Sequence, residues 1–116
     1  MPVAVFCATV VAACGVATHK RTVPGGNAAQ GKRLIEFYGC GACHEIGGIA
    51  TANGHVGPPL HGLAGRDTIA GKLSNTQTNL VHWIMNPQKI VPGNDMPELG
   101  ITDAQARNIA AYLYSQ

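Results

Sequence analysis

Cys40-Gly41-Ala42-Cys43-His44 decides how this chain is to be read. Two thiols stand three positions apart, and a histidine follows at once. Three chemistries use such a pair. A thiol–disulfide redox pair belongs in a strand–helix–strand setting, and no strand pattern flanks these residues. A closed zinc site needs four ligands. The other two cysteines, Cys7 and Cys14, lie in an apolar N-terminal run, and the remaining histidines have no paired spacing. The third chemistry is covalent attachment of a haem. At the end of a helix, two such sulfurs reach the two vinyl groups on one edge of the macrocycle. His44 then falls beneath the iron, where a neutral imidazole ligates it. Gly41 and Ala42 are small enough for the backbone to turn tightly. The motif predicts one covalent haem c held by Cys40 and Cys43, with His44 on the metal.

The flanking sequence reads as helices joined by long loops. Upstream, Ala28 to Tyr38 carries Leu34, Ile35 and Tyr38 at helical spacing, and Gly39 ends the pattern. Downstream, Gly47 to Gly57 has no periodicity and reads as loop. Thr78 to Asn86 is a second helix, with Leu80, Trp83 and Ile84 as its apolar face and Pro87 as its stop. The last helix has the clearest start. Thr102 and Gln105 form a capping box, Asp103 favours the positive end of the helix dipole, and Ala106, Ile109, Ala110 and Leu113 follow as one stripe. No strand pattern appears, so the fold class is all-α.

Composition sets the outer limits. At 116 residues a single domain is expected, and a domain this small gains from a stabilising cofactor. Hydrophobic residues make up 46% and charged ones 12%, which excludes a disordered chain. Lys+Arg 8 against Asp+Glu 6, with no basic stripe, gives no nucleic-acid signature. Residues 1–18 contain no Asp, Glu, Lys or Arg and read as a signal or lipoprotein leader, or as a membrane anchor. Lys20 and Arg21 follow this run rather than precede it, which for a lone spanning helix would leave the rest in the cytoplasm. Val11-Ala12-Ala13-Cys14 resembles a lipoprotein cleavage box, making Cys14 a candidate for lipidation; several acyl chains would be needed for stable anchoring. Residues 19–27, polar and containing Pro24-Gly25-Gly26, read as a flexible tether ahead of a domain at 28–116.

Residues 28–116 resemble the class I c-type cytochromes, small helical domains wrapped around one haem. The resemblance rests on CGACH at 40–44, VGPPLHGLAGR at 56–66, LVHWIMNP at 80–87, PGNDMP at 92–97 and the closing helix. Its flavour is closest to the cytochrome c domain associated with subunit II of haem–copper oxidases. It implies a cytochrome c fold of three to five helices and export from the cytoplasm, which outweighs the charge asymmetry around the leader. It also implies Met96 as the sixth ligand, since a neutral thioether favours reduced iron and typifies electron-transfer sites. The Pro58 carbonyl would accept the second N–H of His44, and Arg66 and Trp83 would contact the haem propionates. Asn94 lies near the expected sulfur. Gly31 and Tyr112 match the crossing of first and last helices, although Ile35 replaces the usual aromatic there.

The function so implied is outer-sphere transfer of single electrons, without a small-molecule substrate and without enzyme activity in the chain itself. Redox partner proteins are expected, including a membrane respiratory donor complex and a terminal oxidase. The expected place is the periplasmic side of a bacterial membrane, held by lipid or by the N-terminus. Two alternatives stand beside it: an open-site haem enzyme or gas sensor in which Met96 is not a ligand, and a structural zinc module.

Overall fold

A computed structural model describes residues 1–5, 8–10 and 21–116. Cys14, the expected lipidation site, lies outside these residues. Among the described residues no helix is long and apolar enough to cross a membrane.

Four α-helices carry the domain: α1 (Ala28–Tyr38), α2 (Gln77–Met85), α3 (Pro87–Ile90) and α4 (Asp103–Ser115). Each long helix starts where a side chain replaces a missing backbone partner. Asn27 accepts from the Gln30 N–H at 2.9 Å, and Thr76 from that of Asn79 at 3.1 Å. Thr102 and Gln105 form the full capping box. Gly39 ends α1 with φ +70°, a left-handed conformation that glycine adopts without strain. The second helix begins at Gln77 rather than Thr78, because Thr76 is its cap. Pro87 both stops α2 and opens α3 at its first position, where no N–H is needed.

The helices pack where small residues allow it. A Cβ built on Gly31 of α1 would lie 1.9 Å from the Asn108 carbonyl oxygen of α4, so these two helices cross nearly backbone to backbone. Ile35, 1% exposed, is buried in the same core as Ile109 and Ala110 of α4. Leu80, Val81 and Ile84 of α2 complete one core.

Two findings depart from the sequence reading. A small antiparallel hairpin joins β1 (Thr68–Ile69) to β2 (Leu73–Ser74). Its turn holds Ala70 and Gly71 at positive φ, a mirror-image turn that an alanine does not announce. Strands of two residues are also too short to show an alternation. Secondly, the described part of the expected tether, residues 21–27, lies against the domain. Val23 is buried in the core, the Asn27 N–H donates to Asn108 Oδ1 at 2.8 Å, and Arg21 donates to the carbonyls of Ala64 (2.6 Å) and Asn75 (2.5 Å).

Candidate functional site

The chain leaves α1 at Gly39 and enters a single 3-10 turn, Cys40–Ala42. Cys40 O accepts from the N–H groups of Cys43 (3.2 Å) and His44 (3.1 Å), which brings both thiols and the imidazole onto one side of the turn. They open into a cavity of about 530 Å³, a size suited to a bound organic cofactor. Pro58, Arg66, Trp83 and Met96 line the same cavity. Seven residues read from the sequence, spread from position 40 to 96, are thus brought together. The rest of the wall is largely aliphatic, including Ile35, Leu80, Ile84, Ile109 and Leu113 from three helices.

The loop after the motif folds back on it. Gly54 N–H donates to Gly41 O (3.0 Å), Gly57 N–H to Cys43 O (2.8 Å) and Leu60 N–H to Glu45 O (2.9 Å). Gly57 sits directly against the His44 ring, where a Cβ would lie 2.3 Å from Cε1. Next to it, His44 Nδ1 is 2.8 Å from Pro58 O. A carbonyl can only accept, so Nδ1 carries the proton and Nε2 keeps the free lone pair. That is the tautomer a metal-ligating histidine needs.

Arg66 Nη2 donates to the carbonyls of Pro59 (2.5 Å) and His61 (3.0 Å), fastening the Pro-Pro loop; the guanidinium has further donors with which this cavity-lining residue could bind an anion. Met96 is half-buried on the loop between α3 and α4. Asn94, expected near its sulfur, instead spends its amide on backbone. Its Oδ1 accepts the Met96 N–H at 2.7 Å, and its Nδ2 donates to Val91 O (2.7 Å) and Pro87 O (3.1 Å).

Burial pushes the Cys40 thiol above its ordinary 9.0, with a backbone hydrogen bond working the other way and the nearby Cys43 adding to the rise. Among the described residues no three His, Cys, Asp or Glu side chains come together to hold a metal ion. His55 and His61 lie outside the cavity beside Glu45, at 3.4 and 4.0 Å. His82 is exposed on α2.

The residues present fit a covalently held haem: an apolar cavity, paired thiols on its wall, an imidazole in the ligating tautomer, a thioether and an arginine. The role of Gly57 as the surface on which His44 rests was not legible: it ends a Gly-rich loop and stands in the VGPPLHGLAGR run, and neither signal assigns it a contact. Gln88, whose side chain bonds to Met96 O at 2.9 Å, gave no signal either.

Known proteins agree with this geometry. Residues 28–116 match the family model described as cytochrome c. The chain is 37% identical over 89 residues to cytochrome c oxidase subunit 2 of Alkalihalophilus pseudofirmus, covering 76% of this chain but only 25% of that protein. It is 37% identical over 90 residues to cytochrome c-550 of Nitrobacter winogradskyi, covering 66% of this chain and 81% of the relative. Among solved structures, cytochrome cH from Methylobacterium extorquens superposes with a TM-score of 0.62 at 28% identity, covering 78% of this chain and all of that one. A cavity built around a CxxCH turn and a family match spanning the whole folded domain lead to one conclusion: the chain belongs to the cytochrome c family of electron-transfer proteins, whose members carry one covalent haem c.

Proposed function

We propose that this chain passes single electrons between a respiratory donor complex and a terminal oxidase on the periplasmic side of a bacterial membrane, as a carrier or electron-transfer subunit rather than an enzyme. The observation that carries the reading is the convergence of Cys40, Cys43, His44 and Met96 on one apolar cavity. A haem bound there supplies a reversible one-electron iron couple. Cys40 and Cys43 would form its thioether links, and His44 Nε2 and the Met96 sulfur would ligate its iron. Arg66 and Trp83 would donate to its carboxylates.

Ligation by both residues would leave the metal no position for a substrate, so the chemistry supplied would be transfer of an electron alone. The aliphatic wall disfavours the more highly charged oxidised form and so raises the potential. Val56 and Leu99, exposed at the cavity mouth, give an apolar rim of the kind that suits brief redox docking. A formal charge of +2 provides only modest long-range steering.

Similarity to the Alkalihalophilus cytochrome c oxidase subunit 2 supports a terminal oxidase as partner. The uncharged N-terminal run and Cys14 support attachment to a membrane. Native purification from membranes, with identification of co-purifying subunits, tests both. Recovery of the chain as a soluble monomer without an acyl group would defeat the attachment. For the sixth ligand, Met96→Ala should abolish the far-red sulfur–iron absorption band of the oxidised protein. A surviving band would assign that position elsewhere.

A further inference from the structure

The loop carrying Met96 has no regular structure of its own, yet its backbone is held at several points by one side chain. Gln88, half-buried on α3, donates through Nε2 to Asn94 O (2.8 Å) and Met96 O (2.9 Å), and its Oε1 accepts the Gly93 N–H (3.0 Å). Asn94 completes the arrangement by accepting the Met96 N–H. Both backbone polar groups of Met96 are therefore pinned by side-chain amides, and both amides trace back to α3, whose first residue, Pro87, is among the most deeply buried in the molecule.

We propose that Gln88 is a positioning residue that keeps Met96 seated and so holds the sixth iron position closed to external ligands. The proposal rests on Met96 being that ligand. A closed loop withholds the open state from a competing ligand, and the apparent affinity falls by the fraction of molecules that are open. Gln88 matters because it acts on the loop as a unit. Without it, Asn94 and Met96 lose their carbonyl partners together, and the two carbonyls turn toward water at the cavity mouth. Its neighbour Lys89 is exposed on the same helix and provides the control.

The test uses oxidised holoprotein and imidazole as the probe. Gln88→Met keeps the side-chain length and removes every hydrogen bond. Gln88→Glu keeps an acceptor for Gly93 N–H but points carboxylate oxygens at two carbonyls. Both variants should bind imidazole at least about tenfold more tightly than the unaltered protein and show a weakened sulfur–iron band, while Lys89→Ala changes neither. If the unaltered protein shows the band and both Gln88 variants match it in band and imidazole affinity, the clamp is refuted and the ligation stands. If Gln88→Glu behaves as the unaltered protein while Gln88→Met does not, donation to the two carbonyls is refuted. Absence of the band from the unaltered protein overturns the ligation, and the clamp with it.

Discussion

Tyr114 Oη donates to Asn75 Oδ1 at 2.6 Å, deep beneath the loop that carries Arg66. Asn75 is 4% exposed, and every polar group of its side chain is used. Its Nδ2 donates to Leu63 O and Arg66 O, both at 2.8 Å. Its carbonyl accepts from Arg21, whose guanidinium also lies 6.0 Å from the Tyr114 ring centre. Through its side-chain amide and its backbone carbonyl, this one buried residue ties together the segment before the domain, the last helix and the wall of the cavity.

Replacing that amide should cost far more than a surface change. Asn75→Leu leaves the Tyr114 hydroxyl and two carbonyls without partners, and each buried orphan costs about 1–3 kcal/mol. We expect a loss of about 3 kcal/mol or more in urea denaturation of the holoprotein. Tyr114→Phe, which leaves one acceptor unpaired, should cost about 1–2 kcal/mol. A loss below about 1 kcal/mol for Asn75→Leu would show that the hub is not a structural tie.

The same phenol makes an alkaline prediction. Burial pushes the Tyr114 hydroxyl above its ordinary 10.0, with Arg21 pulling weakly the other way. A group whose folded value is raised contributes stability that is fully present below its unfolded value and lost as pH rises through the folded one. The protein should therefore weaken above pH 10. Tyr112, raised by burial and by the Glu36 charge, adds to the effect. Tyr114→Phe should flatten the alkaline limb without removing it. An unchanged slope in stability measured from pH 9 to 12 would contradict the assignment.

These ties mark the limit of what the sequence could reveal. The bounds of α1 were legible from the helical spacing of its apolar residues and from Gly39, and the start of α4 from a capping box whose two residues lie three apart. The cavity residues were legible because cofactor attachment imposes fixed spacing at 40–44 and the resemblance supplied the remainder. Arg21 was not, since its acceptors lie 43 and 54 positions away and Pro24-Gly25-Gly26 looks like a linker. Asn75 and Gln88 are uncharged amides in unremarkable company. Only the folded chain shows that the Asn75 amide holds two backbone carbonyls and a phenol, and the Gln88 amide three backbone groups.

His44 supplies the next prediction. Its ring lies against Gly57, and a Cβ there would fall 2.3 Å from Cε1 and 2.7 Å from Nδ1. Gly57→Ala must shift the imidazole or the loop, and either movement strains the Nδ1–Pro58 hydrogen bond. The variant should show a lowered yield of haem-loaded protein and an altered reduction potential. Gly65→Ala, where nothing lies within 4 Å of the new Cβ, should leave both unchanged. Equal behaviour of the two variants would mean that the ring does not depend on Gly57.

At the crossing of α1 and α4, two effects oppose each other. Gly31→Ala should gain about 1 kcal/mol of helix propensity. It also drives a methyl to 1.9 Å from Asn108 O, and overpacking of this kind costs about 1–3 kcal/mol or more because whole helices must part. Separation would also open the seat of Ile35. We expect the clash to win by about 2 kcal/mol, a fall in Tm of about 10 °C for a domain of this size. The obstructing atom is a backbone oxygen, so shortening the side chain at 108 offers no relief. Gly31→Ala with Asn108→Gly should be no more stable than Gly31→Ala alone, the more so because Asn108 Oδ1 also holds the Asn27 N–H. Recovery of the lost stability in the double variant would place the obstruction in the side chain and refute a backbone-to-backbone crossing.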